Sequence, residues 1–377
     1  MRLIISGGGT GGHVYPALAV VPELNRLVKQ RRDELHLCWI GSLDGMERGL
    51  VERAGLAFEA IPAGAIRGRN PVGLAKSLWQ LSQGYVRSRQ IIRTFKPEAL
   101  LVTGGYVCVP MALAARQAGL PLIIYLPDLE PGLAIKFLAR FADRVAVTAP
   151  QAQQFFRPGL TVVTGYPVSS ELFAAAGPAR VEQKIAARRR LGLAEAGPVL
   201  LVFGGSRGAR AINRAVTAQL EDYLSVSQVF HVSGTLDEAW VQARRAALPP
   251  DLLARYHVSA YVHEEKADAF LAADLMIARA GASVMGELPA AGLPAVLAPY
   301  PYAGAHQALN AAYLAGHQAA LVIKDEDLSQ KLKETVINLL TDPLQLQAMS
   351  RACQSLARPD AAARLAQEIL EVGTYGN

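Results

Sequence analysis

Short apolar runs alternate with segments of helical periodicity along the whole chain. In the first half the runs are Leu3–Ser6, Leu35–Ile40, Leu100–Thr103, Leu122–Leu126, Val145–Thr148 and Val162–Thr164. In the second they are Val199–Phe203, Val229–Val232, Val258–Val262, Leu275–Ala278, Ala295–Ala298 and Ala320–Ile323. The Ala-, Leu- and Arg-rich stretches between them read as helices. Alternation of this kind predicts an α/β chain of parallel sheets covered by helices on both faces. The pattern restarts at Val199, after a polar run "VEQKIAARRRLGLAEAGP" that reads as a solvated helix and loop. Two doubly wound domains are therefore expected, 1–165 and 166–357, hinged near Gly165-Tyr166-Pro167. Their ligands should lie in a cleft facing the carboxyl ends of the strands.

Three of the apolar runs pass directly into paired glycines: "LIISGGGTGGH", "LLVTGGYVCVP" and "LLVFGGSRGA". A strand that ends in glycines and reopens as a helix offers free backbone N–H groups and a positive dipole end to a phosphate. One such turn can be tight packing alone, but three suggest two walls that both face phosphate. Gly7, Gly9 and Gly12 satisfy G-x-G-x-x-G, so a dinucleotide-using oxidoreductase is one reading. Its confirming acid should end the second strand and hold a ribose. Here Asp44 stands three residues late, so the loop suits a pyrophosphate with no adenosine attached.

In the second half, Gly205, Ser206, Arg207 and Gly208 open a helix that carries Asn213, with Ser206 either an added phosphate donor or an N-cap. Gly281, Ala282 and Ser283 follow a strand, and Glu287 lies about one turn into the next helix, where a carboxylate can accept both hydroxyls of a vicinal diol. His306, Gln307 and Asn310 cluster at a loop-to-helix junction, and the two amides suit neutral sugar hydroxyls. Asp325-Glu326-Asp327 contains D-x-D, but helix capping and dipole compensation account for it, and no metal is expected.

Length and composition narrow the picture. The 377 residues, 51% hydrophobic and 19% charged, suffice for two ordinary cores. Cys38, Cys108 and Cys353 are scattered, which argues against a disulfide framework or a zinc site. No signal peptide is apparent, and no apolar run approaches the ~18 residues of a membrane span, so a cytoplasmic protein is expected. Residues 1–165 hold 19 Lys and Arg against 11 Asp and Glu, whereas the remainder holds 19 against 21. Between Glu59 and Glu98 there is no acid, while Arg67, Arg69, Lys76, Arg87, Arg89, Arg93 and Lys96 accompany Leu74, Leu78, Trp79, Leu81 and Tyr85. This window, 64–97, reads either as an anionic-membrane contact or as a helix packed on its own domain with a basic outer face. No nucleic-acid module accompanies the charge.

Taken together, "GGGTGGHVYPALAV", "GGYV", "GGSRGARAIN", "RAGAS…GELPAAGLPAVLAPYP" and "HQALNA" resemble the motifs of MurG-type peptidoglycan N-acetylglucosaminyltransferases, in the family's order and through nearly the whole chain. The resemblance implies a GT-B fold of two Rossmann-like domains, with a C-terminal helix at about 358–377 packing back on the first. It implies inverting, metal-independent transfer of N-acetylglucosamine from UDP to lipid I, making lipid II at the inner face of the cell membrane. Ser206 and its glycines would take the UDP phosphates, Glu287 the ribose, Gln307 and Asn310 the sugar, and the backbone near Val262 the uracil. Thr10, Gly11, Gly12, Gly104 and Gly105 would face the acceptor pyrophosphate, with His13 and Tyr106 beside the reaction centre. His13 is the first candidate base, since histidine ordinarily titrates near neutral pH; it can equally orient the glycine loop.

The chain departs from the family on the acceptor side. Where the family usually reads His-Glu-Gln-Asn, this chain reads Tyr125-Leu126-Pro127-Asp128, and Asp128 is a substitute base candidate. Ser169 replaces an arginine, Cys108-Val109 a small pair, and Arg207 a glutamine. A UDP-sugar transferase with another acceptor, an NAD(P)-dependent oxidoreductase and a non-catalytic nucleotide-sugar binding protein are the competing readings.

Overall fold

The computed structural model describes residues 1–64, 70–175, 177–205, 208–301 and 306–375. The chain divides into two compact units, Met1–Val168 with Asp360–Asn377, and Ser169–Pro359.

Unit 1 holds a seven-stranded parallel sheet. Its strands are β1 (Arg2–Gly7), β2 (His36–Ser42), β3 (Ala57–Ile61), β4 (Ala99–Gly104), β5 (Leu122–Leu126), β6 (Arg144–Val147) and β7 (Thr161–Val163). They stand in the order β3-β2-β1-β4-β5-β6-β7. In unit 2, β8 (Val199–Phe203), β9 (Gln228–Val232), β10 (Tyr256–Ser259), β11 (Leu275–Ala278), β12 (Ala295–Leu297) and β13 (Ala320–Val322) form a second parallel sheet, ordered β10-β9-β8-β11-β12-β13. Both sheets are doubly wound. The order reverses beside β1 and β4 in the first and beside β8 and β11 in the second, and the carboxyl ends at such a reversal are where open α/β sheets bind ligands. All three glycine turns follow one of these four strands.

Three expectations need correction. An additional strand, β3, lies at the sheet edge, where its mostly half-exposed residues leave only a weak apolar signal. The run expected at Val258–Val262 is β10, Tyr256–Ser259, because the register pairs Tyr256 with Val229 and Ser259 with Val232. The polar segment before β8 is mostly solvated, as expected, but not throughout. In the helix Pro178–Arg190, Arg188 is buried and donates to Ala272 O at 3.1 Å, Glu195 O at 2.5 Å and Asp274 Oδ2 at 2.7 Å. Burying a guanidinium is tolerable only with such pairing.

The basic window contains the helix Pro71–Phe95, while 65–69, including Arg67 and Arg69, lie outside the described residues. The predicted apolar stripe is not its buried face. Ser77, Gly84, Ser88 and Ile91 are buried, with the helix packed on Cys108–Gln117. A Cβ on Gly84 would stand 2.2 Å from Pro62 O, so small residues permit the close approach. Leu78 and Trp79 point outward, 53% and 60% exposed, together with Val72 and Val86. The helix Ala361–Tyr375 completes unit 1, burying Leu365, Ala366 and Ile369 in one core with Leu3, Val14 and Trp39.

Candidate active site

In unit 1 the sheet brings Thr10, Gly11, Gly12 and His13 (after β1), Gly104, Gly105 and Tyr106 (after β4) and Asp128 (after β5) to neighbouring strand ends. Thr10 is the N-cap of the helix Gly11–Gln30, yet its side chain makes no capping bond. Gly8 N donates to Gly104 O at 3.1 Å, and Gly9 N to Glu47 Oε2 at 3.2 Å. The first two amides of the loop are thus engaged within the protein, and the helix start at Gly11 and Gly12 is its part suited to an anion.

The His13 ring joins the two glycine turns. Its Nδ1 lies 2.9 Å from Gly8 O and 3.4 Å from Thr10 Oγ1. A carbonyl can only accept, so Nδ1 carries the hydrogen and, in the neutral ring, Nε2 holds the lone pair. A Cβ on Gly104 would stand 2.8 Å from that Nε2, and Gly104 has φ +129, so glycine is required there both by conformation and by the ring. Cys108 sits below, fully buried; its thiol donates to Gly104 O at 3.0 Å or Ser6 O at 3.2 Å, and burial pushes it up to about 11. It is a packing and hydrogen-bonding group, not a nucleophile.

At the departing segment, Tyr125 and Leu126 are core residues of β5. Tyr125 OH lies 3.1 Å from Thr148 Oγ1 and 3.2 Å from Gly165 O, which ties the end of β5 to the chain beyond β7. Asp128, half-buried, follows, while Tyr106 is exposed on its turn.

In unit 2, Gly205 and Gly208 follow β8, Val262 follows β10, Gly281, Ala282 and Ser283 follow β11, and His306, Gln307 and Asn310 open the helix after β12. Ser206 and Arg207 lie outside the described residues. Gly208 has φ +77, and a Cβ there would stand 2.4 Å from Ser233 O; only glycine lets this turn pack on the end of β9. Glu287 is buried in the helix Val284–Ala291, with Oε1 at 2.5 Å from Lys266 Nζ. Lys266 escaped sequence reasoning because it lies 21 residues away, and only the fold brings it beside the carboxylate.

Two of the expected ligand-binding amides, Asn213 and Asn310, are committed elsewhere, and Gln307 is engaged on one side only. Asn213 is fully buried; its Nδ2 donates to Ser233 O at 2.8 Å and Asp237 Oδ2 at 3.0 Å, and its Oδ1 faces His231 Nε2 at 2.9 Å. It is a framework residue and not a phosphate ligand. Tyr256 OH lies 2.7 Å from His231 Nδ1, and Arg210 donates to Asp237 Oδ1 at 2.8 Å. Each donor in the series meets an acceptor only if His231 is neutral, and burial holds its pKa down to about 3. Asn310 is likewise buried, donating Nδ2 to Ala280 O at 3.1 Å, and Gln307 Oε1 accepts from Tyr300 N at 2.8 Å. Both amides therefore shape the loops after β11 and β12, and Gln307 keeps its NH2 for a hydroxyl. The D-x-D acids are paired too, Asp325 with Arg279 and Asp327 with Lys331 at 2.9 Å.

The glycosyltransferase family 28 N-terminal domain model matches residues 3–147, and the family's C-terminal domain model matches 199–365. The chain belongs to glycosyltransferase family 28. Two similar members are UDP-N-acetylglucosamine--N-acetylmuramyl-(pentapeptide) pyrophosphoryl-undecaprenol N-acetylglucosamine transferases. The Roseiflexus sp. (strain RS-1) enzyme is 41% identical over 97% of this chain and 94% of its own length. The Bacillus licheniformis enzyme is 35% identical over 99% of both. Among solved structures, MurG of Acinetobacter baumannii superposes with a TM-score of 0.72 and 26% identity, covering 98% of this chain and 99% of that one. In family 28 terms the two units are the N- and C-terminal glycosyltransferase domains, the protein is a glycosyltransferase, and the expectation of a GT-B fold holds.

Proposed function

We infer that this family 28 member transfers N-acetylglucosamine from UDP-N-acetylglucosamine to the N-acetylmuramyl-pentapeptide carried on pyrophosphoryl-undecaprenol. What carries the reading is identity of 35–41% over at least 97% of the chain to the two enzymes named for that donor and acceptor. The arrangement of each unit supports it. In unit 2 a buried carboxylate, Glu287, and the glycines Gly204, Gly205 and Gly208 follow the two strands beside the reversal, an arrangement that suits a ribose diol and a pyrophosphate. In unit 1 the open helix start at Gly11 and Gly12 suits the acceptor pyrophosphate.

In the reaction proposed, an acceptor hydroxyl oxygen attacks the anomeric carbon, the bond from that carbon to the UDP oxygen breaks with inversion, and the hydroxyl proton passes to Nε2 of His13. The Gly8 carbonyl would stabilise the imidazolium through Nδ1–H. UDP-N-acetylglucosamine is the co-substrate, and the proposal includes no metal.

Among the described residues no helix is long and apolar enough to cross a membrane. The outward Val72, Leu78, Trp79 and Val86, set among Lys76, Arg87 and Arg93, support peripheral docking on the anionic inner face of the cell membrane, where the lipid-linked acceptor would be met.

The test is release of UDP from UDP-N-acetylglucosamine in detergent, with and without a lipid I analogue, in buffer containing EDTA. Release that depends on the analogue is expected. Binding of UDP with no stimulation would reject this acceptor, and Leu126 and Asp128 would then mark a changed acceptor pocket.

A further inference from the structure

Glu47 is fully buried, yet it opens a short surface helix, Glu47–Arg53. Its carboxylate is held by three donors: Ser42 N at 2.7 Å and Ser42 Oγ at 2.5 Å on Oε1, and Gly9 N at 3.2 Å on Oε2. The surroundings make room for it. A Cβ on Gly8 would stand 2.4 Å from Oε1, one on Gly45 2.1 Å from the same oxygen, and one on Gly41 2.9 Å from Glu47 Cγ. A carboxylate is thus built into the gap between the end of β2 and the first glycine turn, and among the described residues no ion pair with a cation compensates its burial. Burying a carboxylate in this way is costly, and an apolar residue would fill the same space without that cost.

The geometry explains what the carboxylate supplies. Gly9 is exposed and has φ +87, and a Cβ there would meet nothing within 4 Å, so side-chain packing does not hold this turn. The hydrogen bond from Gly9 N fixes the peptide that joins Gly9 to Gly8. That peptide's carbonyl is Gly8 O, the atom 2.9 Å from His13 Nδ1. One planar peptide group therefore links Glu47 on one side to the imidazole on the other.

We propose that Glu47 is a positioning residue for sugar transfer: its carboxylate clamps the Gly8–Gly9 peptide, and through the Gly8 carbonyl it holds His13 as the Nδ1–H tautomer with the Nε2 lone pair available. The proposal rests on the reading of His13 as the base. In Glu47→Gln the shape is kept, but one of the two sides of the amide, toward Ser42 or toward Gly9, presents N–H to N–H.

The experiment uses full-length protein with 15N-labelled histidine, the His13 signals being assigned with His13→Ala. In wild type, Nδ1 should show the shift of a protonated ring nitrogen and Nε2 that of an unprotonated one. In Glu47→Gln the two shifts should move toward the average of a freely exchanging imidazole. kcat should fall roughly 10- to 100-fold, the scale on which small misplacements of catalytic groups act, with UDP affinity within about twofold. Unchanged tautomer populations in Glu47→Gln, or a loss of UDP affinity at constant kcat, would overturn the proposal. Should that variant not fold, amide exchange in wild type decides. A protected Gly9 N–H in this exposed turn supports the clamp, and exchange at the rate of an open chain overturns it. Full turnover in His13→Ala would overturn the base reading separately, whatever the tautomer measurement gives.

Discussion

The Lys266 ammonium lies 2.5 Å from Glu287 Oε1, with both side chains largely buried. The pair holds the carboxylate beside the end of β11 before any donor arrives. In the proposed donor site the ribose hydroxyls donate to Glu287, so Glu287→Ala should weaken UDP binding by roughly 10- to 100-fold, given about 1.5–3 kcal/mol for a hydrogen bond to a charged group. Lys266→Met should weaken it less, since the ligand contacts remain while their carboxylate loses its anchor. Calorimetric titration with UDP checks both, and unchanged affinity in a folded Glu287→Ala would remove Glu287 from the donor site.

His13→Ala should lose about 10²- to 10⁴-fold in kcat, the usual contribution of a general base, with UDP affinity unchanged. Steady-state kinetics beside a UDP titration separates the two effects. Wild-type turnover would return His13 to a purely structural part in the loop.

Gly104→Ala tests the same ring from the opposite side. The added Cβ would stand 2.8 Å from His13 Nε2 at a φ of +129, so backbone strain and obstruction act together. A kcat loss approaching that of His13→Ala is expected, whereas an equal alanine substitution at Gly281, where a Cβ meets nothing within 4 Å, should leave stability nearly unchanged. Comparable kcat for wild type and Gly104→Ala would show that Nε2 takes no part.

His231 gives unit 2 a defined acid weakness. Burial lowers its pKa from 6.5 to about 3. Between those values the unfolded chain binds a proton that the folded chain does not, so stability is full above about pH 6.5 and falls as the pH drops. The loss at pH 5 should be about 2 kcal/mol from this group alone. Urea unfolding at pH 7.5 and 5.0 measures it. His231→Gln should be less stable at pH 7.5, because it breaks the run from Tyr256 to Asp237, but should lose less on acidification. An identical acid slope in wild type and variant would contradict a neutral buried imidazole.

Replacing both Leu78 and Trp79 by serine should leave thermal stability nearly unchanged, since both are more than half exposed. Binding to vesicles rich in anionic lipid should fall by roughly tenfold or more, the scale expected for removing two apolar side chains from a lipid interface. Sedimentation with vesicles checks this, and undiminished binding would place the membrane contact elsewhere.

The strands and their glycine turns were legible along the chain because they are local. Leu122–Leu126, Val199–Phe203 and Leu275–Ala278 coincide residue for residue with observed strands, and a glycine pair after an apolar run announces a turn whatever surrounds it. The positions of His13 and Glu287 were legible for the same reason, each opening the helix that follows a strand. Their partners were not. Glu47 meets Gly9 across 38 residues and Lys266 meets Glu287 across 21. Asn310 read as an amide for a sugar hydroxyl and Asn213 as part of the helix at the third glycine turn, yet Ala280 takes up the one and His231 and Asp237 the other. The helix Pro71–Phe95 turned Ser77, Gly84 and Ser88 inward, and at Gly84 the chain beyond β3 stands so close that a Cβ would lie 2.2 Å from Pro62 O. Periodicity encodes what one segment does with its own backbone and its own face, whereas the satisfaction of a buried polar group depends on which distant segment the sheet order sets beside it.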